Sequence, residues 1–115
     1  MSAKTASYTK ESKSRGKKDT SKNATLTILN GCFSGLEIAL SKATTVLGSD
    51  LNCDVCLDDS LVSSEHAAIR KNKNNYMLED LNSRHGTQLN GKRIDQIMLH
   101  KGDMISIGHF RIKFS

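Results

Sequence analysis

The sequence has no long hydrophobic run and no export signal. Hydrophobic residues make up 37% of its 115 positions, and no apolar stretch approaches the roughly 20 residues that cross a bilayer. Residues 1–23 are largely lysine, serine and threonine, so they lack the apolar core of a secretory signal. We therefore expect a chain without a membrane span that works in the cytoplasm or elsewhere inside the cell, the nucleus included. Its length suffices for one domain with a modest core.

Cysteine is also scarce, with only Cys32, Cys53 and Cys56. Thiols inside the cell stay reduced, so no disulfide framework is expected. Cys53 and Cys56 have the spacing of a pair of metal ligands, but a zinc site needs a second pair, which the sequence does not offer. We predict no metal site and no cofactor. Both residues are interpreted as small, partly buried side chains on or beside a strand.

Signatures of catalysis are missing as well. The sequence has no Gly-rich nucleotide-binding loop and no metalloprotease motif. His66 follows Ser63 by three residues, yet no acid or nucleophile is spaced to complete a catalytic set with it. We therefore predict that the protein is not an enzyme and has no catalytic residues.

Excess charge of one sign is absent from most of the chain. The formal net charge is +5, and residues 1–23 carry seven basic and two acidic side chains, whereas residues 24–115 carry ten of each. The excess lies in residues 1–23, whose few apolar side chains cannot offset the entropy of ordering. We predict a disordered basic tail over 1–23 and a folded domain over 24–115. The tail suits a solubilising leader, and nucleic acid is not the expected partner.

The remaining sequence consists of short β-like runs separated by turn residues. Several runs alternate apolar and polar side chains, as half-buried strands do, and no stretch shows a sustained helical period. Glycine and asparagine mark the turns between them. The pattern predicts an all-β sandwich with strands at residues 25–29, 36–40, 44–47, 54–57, 67–70, 76–80, 104–107 and 110–114.

Two polar segments carry chemistry that a β-sandwich core does not need. Ser63 and Ser64 offer hydroxyl and backbone N–H donors just before an apolar run. Arg84 offers a planar set of donors that suits a phosphate oxyanion. Because donors on two loops can converge on one anion, these residues predict a phosphate-binding site.

Four segments together resemble the forkhead-associated (FHA) domain. The family pattern is Gly-Arg, then Ser-x-x-His, then Ser-x-Asn-Gly-Thr-x-x-Asn-Gly, then Leu-x-x-Gly-Asp-x-Ile-x-Ile-Gly. The corresponding positions here are 48–49, 63–66, 83–91 and 99–108. The resemblance covers roughly residues 24–115 and implies a sandwich of about eleven strands with the ligand on loops at one end. It also implies the function, which is a signalling adaptor that binds phosphothreonine peptides.

The resemblance assigns roles to particular residues. Ser63 would donate its hydroxyl to the phosphate, Ser64 would add a second bond, Arg84 would supply charge, and His85 would steady the peptide backbone. The phosphopeptide-binding set implied by the family is Ser49, Ser63, Ser64, Arg84 and His85. The loop-supporting set is Gly48, His66, Gly86, Thr87 and Asn90.

The sequence departs from the family pattern at two of these positions. Ser49 stands where the family usually has the arginine that pairs with the phosphate, and His85 stands where it usually has asparagine. A neutral hydroxyl does not replace a bidentate cation. We expect the affinity for phosphate to be weaker than the family norm unless Arg84 or a nearby lysine compensates.

Two other functions stay open. Residues 48–57 also resemble the FHA-like cytoplasmic domain of inner-membrane ring proteins in bacterial type III secretion, which packs against copies of itself. A degenerate FHA domain of that kind would be a structural scaffold without phosphate recognition. Alternatively, the domain would bind its own tail phosphorylated at Thr5 or Thr9, at a millimolar-range effective concentration; Thr20 lies too near the first strand. The expected partners are thus a phosphothreonine protein or peptide, the chain's own phosphorylated tail, or copies of itself.

Overall fold

The computed structural model describes residues 23–115, and these residues form strands, turns and loops without a helix. The predicted tail, with Thr5, Thr9 and Thr20, lies outside the described residues apart from Asn23, whose side-chain oxygen accepts a hydrogen bond from Lys71 Nζ (2.6 Å). The strands are β1 (Thr25–Ile28), β2 (Glu37–Ala39), β3 (Thr44–Gly48), β4 (Val55–Cys56), β5 (Ala67–Asn72), β6 (Asn75–Asp80), β7 (Thr87–Leu89), β8 (Lys92–Ile94), β9 (Gln96–Met98), β10 (Met104–Ile107) and β11 (Phe110–Phe114).

The strands form two sheets. The six-stranded sheet has the order β2-β1-β11-β10-β7-β8, and the five-stranded sheet has the order β4-β3-β5-β6-β9. All pairings are antiparallel except the short parallel contact of β3 with β4. The buried side chains of both sheets join in one hydrophobic core, which confirms the predicted all-β sandwich. No helix in the described part of the chain is long and apolar enough to span a bilayer.

Side-chain alternation explains why most strands were predictable. In β11, Phe110, Ile112 and Phe114 are buried while Arg111 and Lys113 are exposed, as expected for a strand with one face on the core. The predicted bounds of β10 and β11 agree with the structure. Four of the other predicted strands differ by one or two residues at one end, and the strands predicted at 36–40 and 54–57 are one residue shorter at each end. The eleven strands in residues 23–115 match the number that the family resemblance implied.

Three short strands, β7, β8 and β9, were not predicted from the alternation of side chains. Each has three residues, and all three side chains of β9 are exposed, so the apolar pattern is weak or absent. β7 and β8 form a hairpin whose turn residues Asn90 and Gly91 both have positive φ, 52° and 87°. This geometry is typical of a type I′ turn, whose twist matches that of the paired strands.

Candidate functional site

Loops from both sheets converge on one cleft. Its volume is about 330 Å³. One loop follows β3, one connects β4 to β5, and the third connects β6 to β7. All five residues that the family resemblance assigned to phosphopeptide contact lie on its wall. The lining residues are Ser49, Ser60, Leu61, Val62, Ser63, Ser64, Arg84 and His85.

Gly48 allows the first two loops to approach each other closely. A Cβ at this position would lie 2.0 Å from the backbone oxygen of Ser64, so only glycine fits at the end of β3. The contact is closed by two backbone hydrogen bonds, from Ser49 N–H to the Ser63 oxygen (3.0 Å) and from Asp50 N–H to the Ser64 oxygen (3.2 Å). The position of the Ser63 and Ser64 segment therefore depends on the absence of a side chain at Gly48.

His66 connects the second loop to the third from inside the protein. Its side chain is fully buried. Nδ1 accepts a hydrogen bond from the Ser63 N–H (3.0 Å), and Nε2 lies 2.9 Å from the Gly86 carbonyl oxygen. A carbonyl accepts only, so the Nε2–H form of the ring satisfies both partners. With both nitrogens engaged and no exposure to solvent, His66 is a brace between two loops and is not available for proton transfer to a ligand.

The Ser63 hydroxyl adds a further link between these two loops. Its oxygen accepts a hydrogen bond from the backbone N–H of Arg84 (3.0 Å). A serine hydroxyl can donate one hydrogen bond as well as accept others. Within residues 23–115, no atom accepts a hydrogen bond from the Ser63 hydroxyl. Ser63 is thus fixed in place by its acceptor side and retains a donor at the wall of the cleft.

Asp80 organises the loop that carries Arg84 and His85. Its Oδ1 accepts hydrogen bonds from the hydroxyls of Ser83 (2.6 Å) and Thr87 (2.7 Å), and its Oδ2 accepts the Ser83 N–H (3.0 Å). Ser83 Oγ in turn accepts the Gly86 N–H (2.9 Å). Asp80 was not among the predicted site residues, although Ser83 and Thr87, three and seven residues later, were part of the motif. The loop is therefore shaped from within by a carboxylate at the end of β6.

These hydrogen bonds determine the ionisation of Asp80. Burial raises the pKa of its carboxyl, but the hydrogen bonds from Ser83 and Thr87 outweigh burial, and the pKa lies below its ordinary value. The ordinary pKa of an aspartate is about 3.9. The stabilisation from Asp80 is consequently complete above about pH 4 and is lost as the pH falls through the lowered pKa of the folded state.

Replacing Asp80 by asparagine is expected to lower the free energy of unfolding at pH 7 by about 1.5 to 3 kcal/mol, because a charged acceptor of three hydrogen bonds is lost. The difference between variant and wild type should begin to shrink near pH 4, where Asp80 of the unfolded chain takes up a proton, and should shrink further as the pH falls toward the lowered pKa of folded Asp80. Urea unfolding followed over pH 3 to 8 would measure both effects. Asp58→Asn, at an exposed aspartate, is the control. A parallel loss in the two variants would contradict the role of Asp80.

Positive charge at the cleft comes from its third loop. Arg84 and His85 are exposed, and none of the described residues that line the cleft is acidic. Ser49 also lines the cleft but contributes no charge. The cleft therefore combines hydroxyl donors with one permanent cation, which suits an anion rather than a cation or an apolar ligand.

The other loop-supporting residues have different surroundings. Gly86 is buried with φ +85°, a backbone conformation that favours glycine, and Thr87 is fully buried with its hydroxyl on Asp80. Asn90 was also predicted to support the site loop. Its side chain instead bonds Asp103 Oδ1 (3.1 Å) and the Met104 N–H (2.9 Å). These partners lie thirteen and fourteen residues away, so Asn90 holds the β7–β8 turn against the start of β10.

A further support was not visible in the sequence. Asp59 accepts hydrogen bonds from the backbone N–H of His109 (3.0 Å) and from His109 Nδ1 (2.9 Å). The hydrogen bond from the His109 side chain lowers the pKa of Asp59. This contact ties the wall at Ser60, Leu61 and Val62 to the turn between β10 and β11. No local motif could have indicated it, because the two residues are 50 positions apart.

The two cysteines of the CxxC segment support the same loops. The Cys53 thiol donates to the Ser64 carbonyl oxygen (3.0 Å), and the Cys56 thiol lies 3.6 Å from the Ser49 carbonyl oxygen. Burial raises the pKa of Cys53, which favours the neutral thiol that this hydrogen bond requires. Neither cysteine forms a disulfide, and both pack beside the cleft.

Comparison with known proteins identifies the family. The family model of the FHA domain matches residues 45–108, which include the cleft and more than half of the chain. The protein therefore belongs to the FHA domain family, as the sequence resemblance indicated.

Individual relatives agree with this assignment. The chain is 36% identical over 92 residues to an oxoglutarate dehydrogenase inhibitor of Corynebacterium jeikeium, covering 80% of this chain and 64% of the relative. It is 35% identical over 92 residues to the glycogen accumulation regulator GarA of Mycobacterium tuberculosis, covering 80% and 57%. Thus the chain spans less than two thirds of the length of these curated relatives. A solved FHA domain from work on phosphothreonine-dependent FHA domain interactions has a TM-score of 0.75 and 30% identity, covering 80% of this chain and 94% of that one.

The type III secretion resemblance extends to the fold. The cytoplasmic domain of the sorting platform protein PscD from P. aeruginosa superposes with a TM-score of 0.70, covering 80% of this chain and 78% of that domain. The sequence identity is 20%, so this likeness concerns the fold alone.

Proposed function

We propose that this protein is an intracellular binding module that recognises phosphothreonine in a partner protein or peptide. The observation that supports this most directly is the Ser63 hydroxyl. Its oxygen accepts a hydrogen bond from the Arg84 N–H, and its hydrogen remains a donor on a cleft that Arg84 and Ser64 also line. A phosphate brings close to two negative charges and three acceptor oxygens, which fits donors fixed in advance on two loops.

Each lining residue has a role in this proposal. Ser63 and Ser64 donate to the phosphate oxygens, Arg84 supplies the charge, and His85 bonds the backbone of the bound peptide. Leu61 and Val62 give the cleft an apolar wall on which the γ-methyl of threonine packs. One methyl group in a pocket contributes about 1 to 3 kcal/mol, enough for a preference for threonine over serine of roughly tenfold.

Because Ser49 stands where the family usually has an arginine, Arg84 should supply most of the positive charge that contacts the phosphate. Replacing Arg84 by alanine is expected to weaken phosphothreonine-peptide binding by about 1.5 to 3 kcal/mol, as for a hydrogen bond to a charged group. Fluorescence anisotropy with a degenerate phosphothreonine peptide library and its unphosphorylated counterpart would measure this, with NMR shifts to locate the contact. Arg70→Ala is the matched control, since Arg70 does not line the cleft and pairs with Glu79 on the neighbouring strand of the five-stranded sheet (2.8 Å).

The outcomes distinguish the proposal from the scaffold function. Selective binding of the phosphorylated library, with shifts at Ser63, Ser64 and His85, supports a phosphothreonine reader. Absence of binding up to millimolar peptide would favour a domain that assembles with proteins, or with copies of itself, without phosphate. Equal binding by Arg84→Ala and wild type would place the phosphate away from Arg84.

The chain's own tail is a second possible source of the phosphothreonine in this proposal. A phosphorylated Thr5 or Thr9 would compete with external peptides, because tethering raises its effective concentration. Enzymatic or synthetic phosphorylation of the tail should then lower the apparent affinity for an external phosphopeptide. An unchanged affinity after complete phosphorylation would eliminate this self-regulation.

A further inference from the structure

A second guanidinium group lies beside the cleft. A Cβ built on Gly86 would be 2.7 Å from Arg93 Nε and 2.9 Å from Arg93 Cζ. The Arg93 head group therefore lies over the backbone of Gly86, the residue that follows His85 on the cleft wall. Glycine at position 86 is what leaves room for it.

The β7–β8 hairpin explains this location. Arg93 pairs with Gln88 in the strand register, and both are exposed on the outer face of the six-stranded sheet. β7 begins at the site loop and β8 returns toward it, so the long side chain of Arg93 reaches back from Gln88 to Gly86. The hairpin therefore brings the Arg93 side chain close to the site loop, although Arg93 lies outside the family motif at residues 83–91.

Arg93 is also free to bind an external anion. The ion pairs within residues 23–115 involve Lys42, Arg70 and His109, so neither Arg93 nor Arg84 has a carboxylate partner in this part of the chain. The planar donors of the Arg93 guanidinium can bind a carboxylate or phosphate in a bidentate manner. The surface beside His85 therefore offers a positioned cation that the phosphate cleft does not use.

We propose that Arg93 forms an accessory anion-binding position, and that the preferred peptide carries an acidic group near its phosphothreonine. This inference rests on the proposed function, because the phosphothreonine in the cleft brings the rest of the peptide past Gly86. The acidic group is a carboxylate side chain or a second phosphate. It compensates for the missing cation at Ser49 by adding affinity beyond the phosphate site.

The test uses peptides with one alanine-rich background and either threonine or phosphothreonine at the centre. Each is made with and without a single aspartate, and the aspartate is moved through the flanking positions one at a time. Wild type should bind the phosphothreonine peptide about threefold to tenfold more tightly when aspartate occupies one or two particular positions, as for an exposed but well-oriented ion pair. In Arg93→Gln this gain should disappear, while the affinity for the aspartate-free phosphopeptide stays within about twofold. Substituting phosphoserine for the effective aspartate tests the second phosphate as the source of the anion.

Arg111→Gln is the matched control. Arg111 is exposed on the same sheet face and in the same cross-strand row, since Arg111 pairs with Ser106, Ser106 with Gln88, and Gln88 with Arg93. This variant loses the same charge two strands away from Gly86, so it should keep the aspartate gain. An equal effect of both variants would indicate a general charge effect and overturn the inference.

The remaining outcomes separate the inference from the proposed function. Phosphothreonine peptides could bind without any aspartate position raising their affinity, or Arg93→Gln could lower the affinity for all phosphopeptides equally. In either case the accessory position is wrong and the phosphothreonine reader stands. If acidic peptides bind through Arg93 equally well with and without the central phosphate, the phosphothreonine reader is wrong, and the accessory role of Arg93, which depends on it, is overturned as well. If no peptide binds wild type, both are overturned.

Discussion

Replacing His66 by alanine is expected to lower the free energy of unfolding by about 3 to 5 kcal/mol. The substitution leaves a cavity in place of a fully buried ring. It also removes the partners of the Ser63 N–H and the Gly86 carbonyl, each of which costs about 1 to 3 kcal/mol when buried without a hydrogen bond. Since a whole domain is stable by only about 5 to 15 kcal/mol, a large part of the stability depends on this side chain. Urea unfolding at pH 7 would measure the loss.

Two further variants divide the effect between the two hydrogen bonds of His66. Asparagine carries an acceptor near the position of Nδ1 and should restore the bond from the Ser63 N–H. Glutamine carries a donor near the position of Nε2 and should restore the bond to Gly86. His66→Asn and His66→Gln are each expected to recover part of the stability that His66→Ala loses. His100→Ala, at an exposed histidine, should change stability by less than about 0.5 kcal/mol. A His66→Ala loss as small as that of the control would contradict the brace.

The consequence of the brace extends to the ligand. His66 accepts a hydrogen bond from the backbone N–H of Ser63 and forms a second one with the Gly86 carbonyl oxygen, in the loop that carries Arg84 and His85. Those two loops are attached to each other a second time through Ser63 Oγ and the Arg84 N–H (3.0 Å). A cleft whose donors are fixed before the ligand arrives loses less entropy on binding. If the cleft binds a phosphopeptide as proposed, we therefore expect the buried histidine to connect the stability of the domain to the affinity of the cleft.

The strands that could be predicted from sequence are those whose side chains meet the core in alternation. β10 and β11 are of this kind, and their bounds agree with the structure. In β9, Gln96, Ile97 and Met98 are all exposed, because the strand lies at the edge of its sheet. Its existence follows from pairing with β6, a long-range interaction that leaves no periodic signal in three residues.

The residues of the site could be predicted to different extents for similar physical reasons. Ser63 and Arg84 could be proposed from the sequence because hydroxyl and guanidinium donors in short polar segments suit an anion, and both line the cleft. Asp80 was not recognisable, since an aspartate at the end of a strand is ordinary until the chain turns back and presents Ser83 and Thr87 to it. Asp59 and Arg93 depend on contacts that only the tertiary fold creates, with the β10–β11 turn and with Gly86.

Replacing Gly48 by alanine is expected to reduce both stability and binding. The added methyl group would lie 2.0 Å from the Ser64 backbone oxygen and 2.9 Å from Cys53 Sγ, and a backbone oxygen cannot rotate away as a side chain would. Either β3 or the Ser63 and Ser64 segment must shift. Overpacking of a tight site typically costs 1 to 3 kcal/mol, and we expect about 3 kcal/mol here because the clash is with backbone. Urea unfolding and phosphopeptide titration of the same variant would measure the two losses.

The control for Gly48→Ala is Gly35→Ala, which adds the same methyl group where no atom lies within 4 Å, although at φ +93°. Its cost is backbone strain alone, about 1 to 2 kcal/mol, and its phosphopeptide affinity should equal that of wild type. In Gly48→Ala the affinity should fall by more than about tenfold, because the shifted segment carries the Ser63 hydroxyl and the bond from Ser49 to Ser63 (3.0 Å). Retention of wild-type affinity in the folded variant would mean that the segment moves without disturbing the donors, and that binding does not depend on the close approach at Gly48.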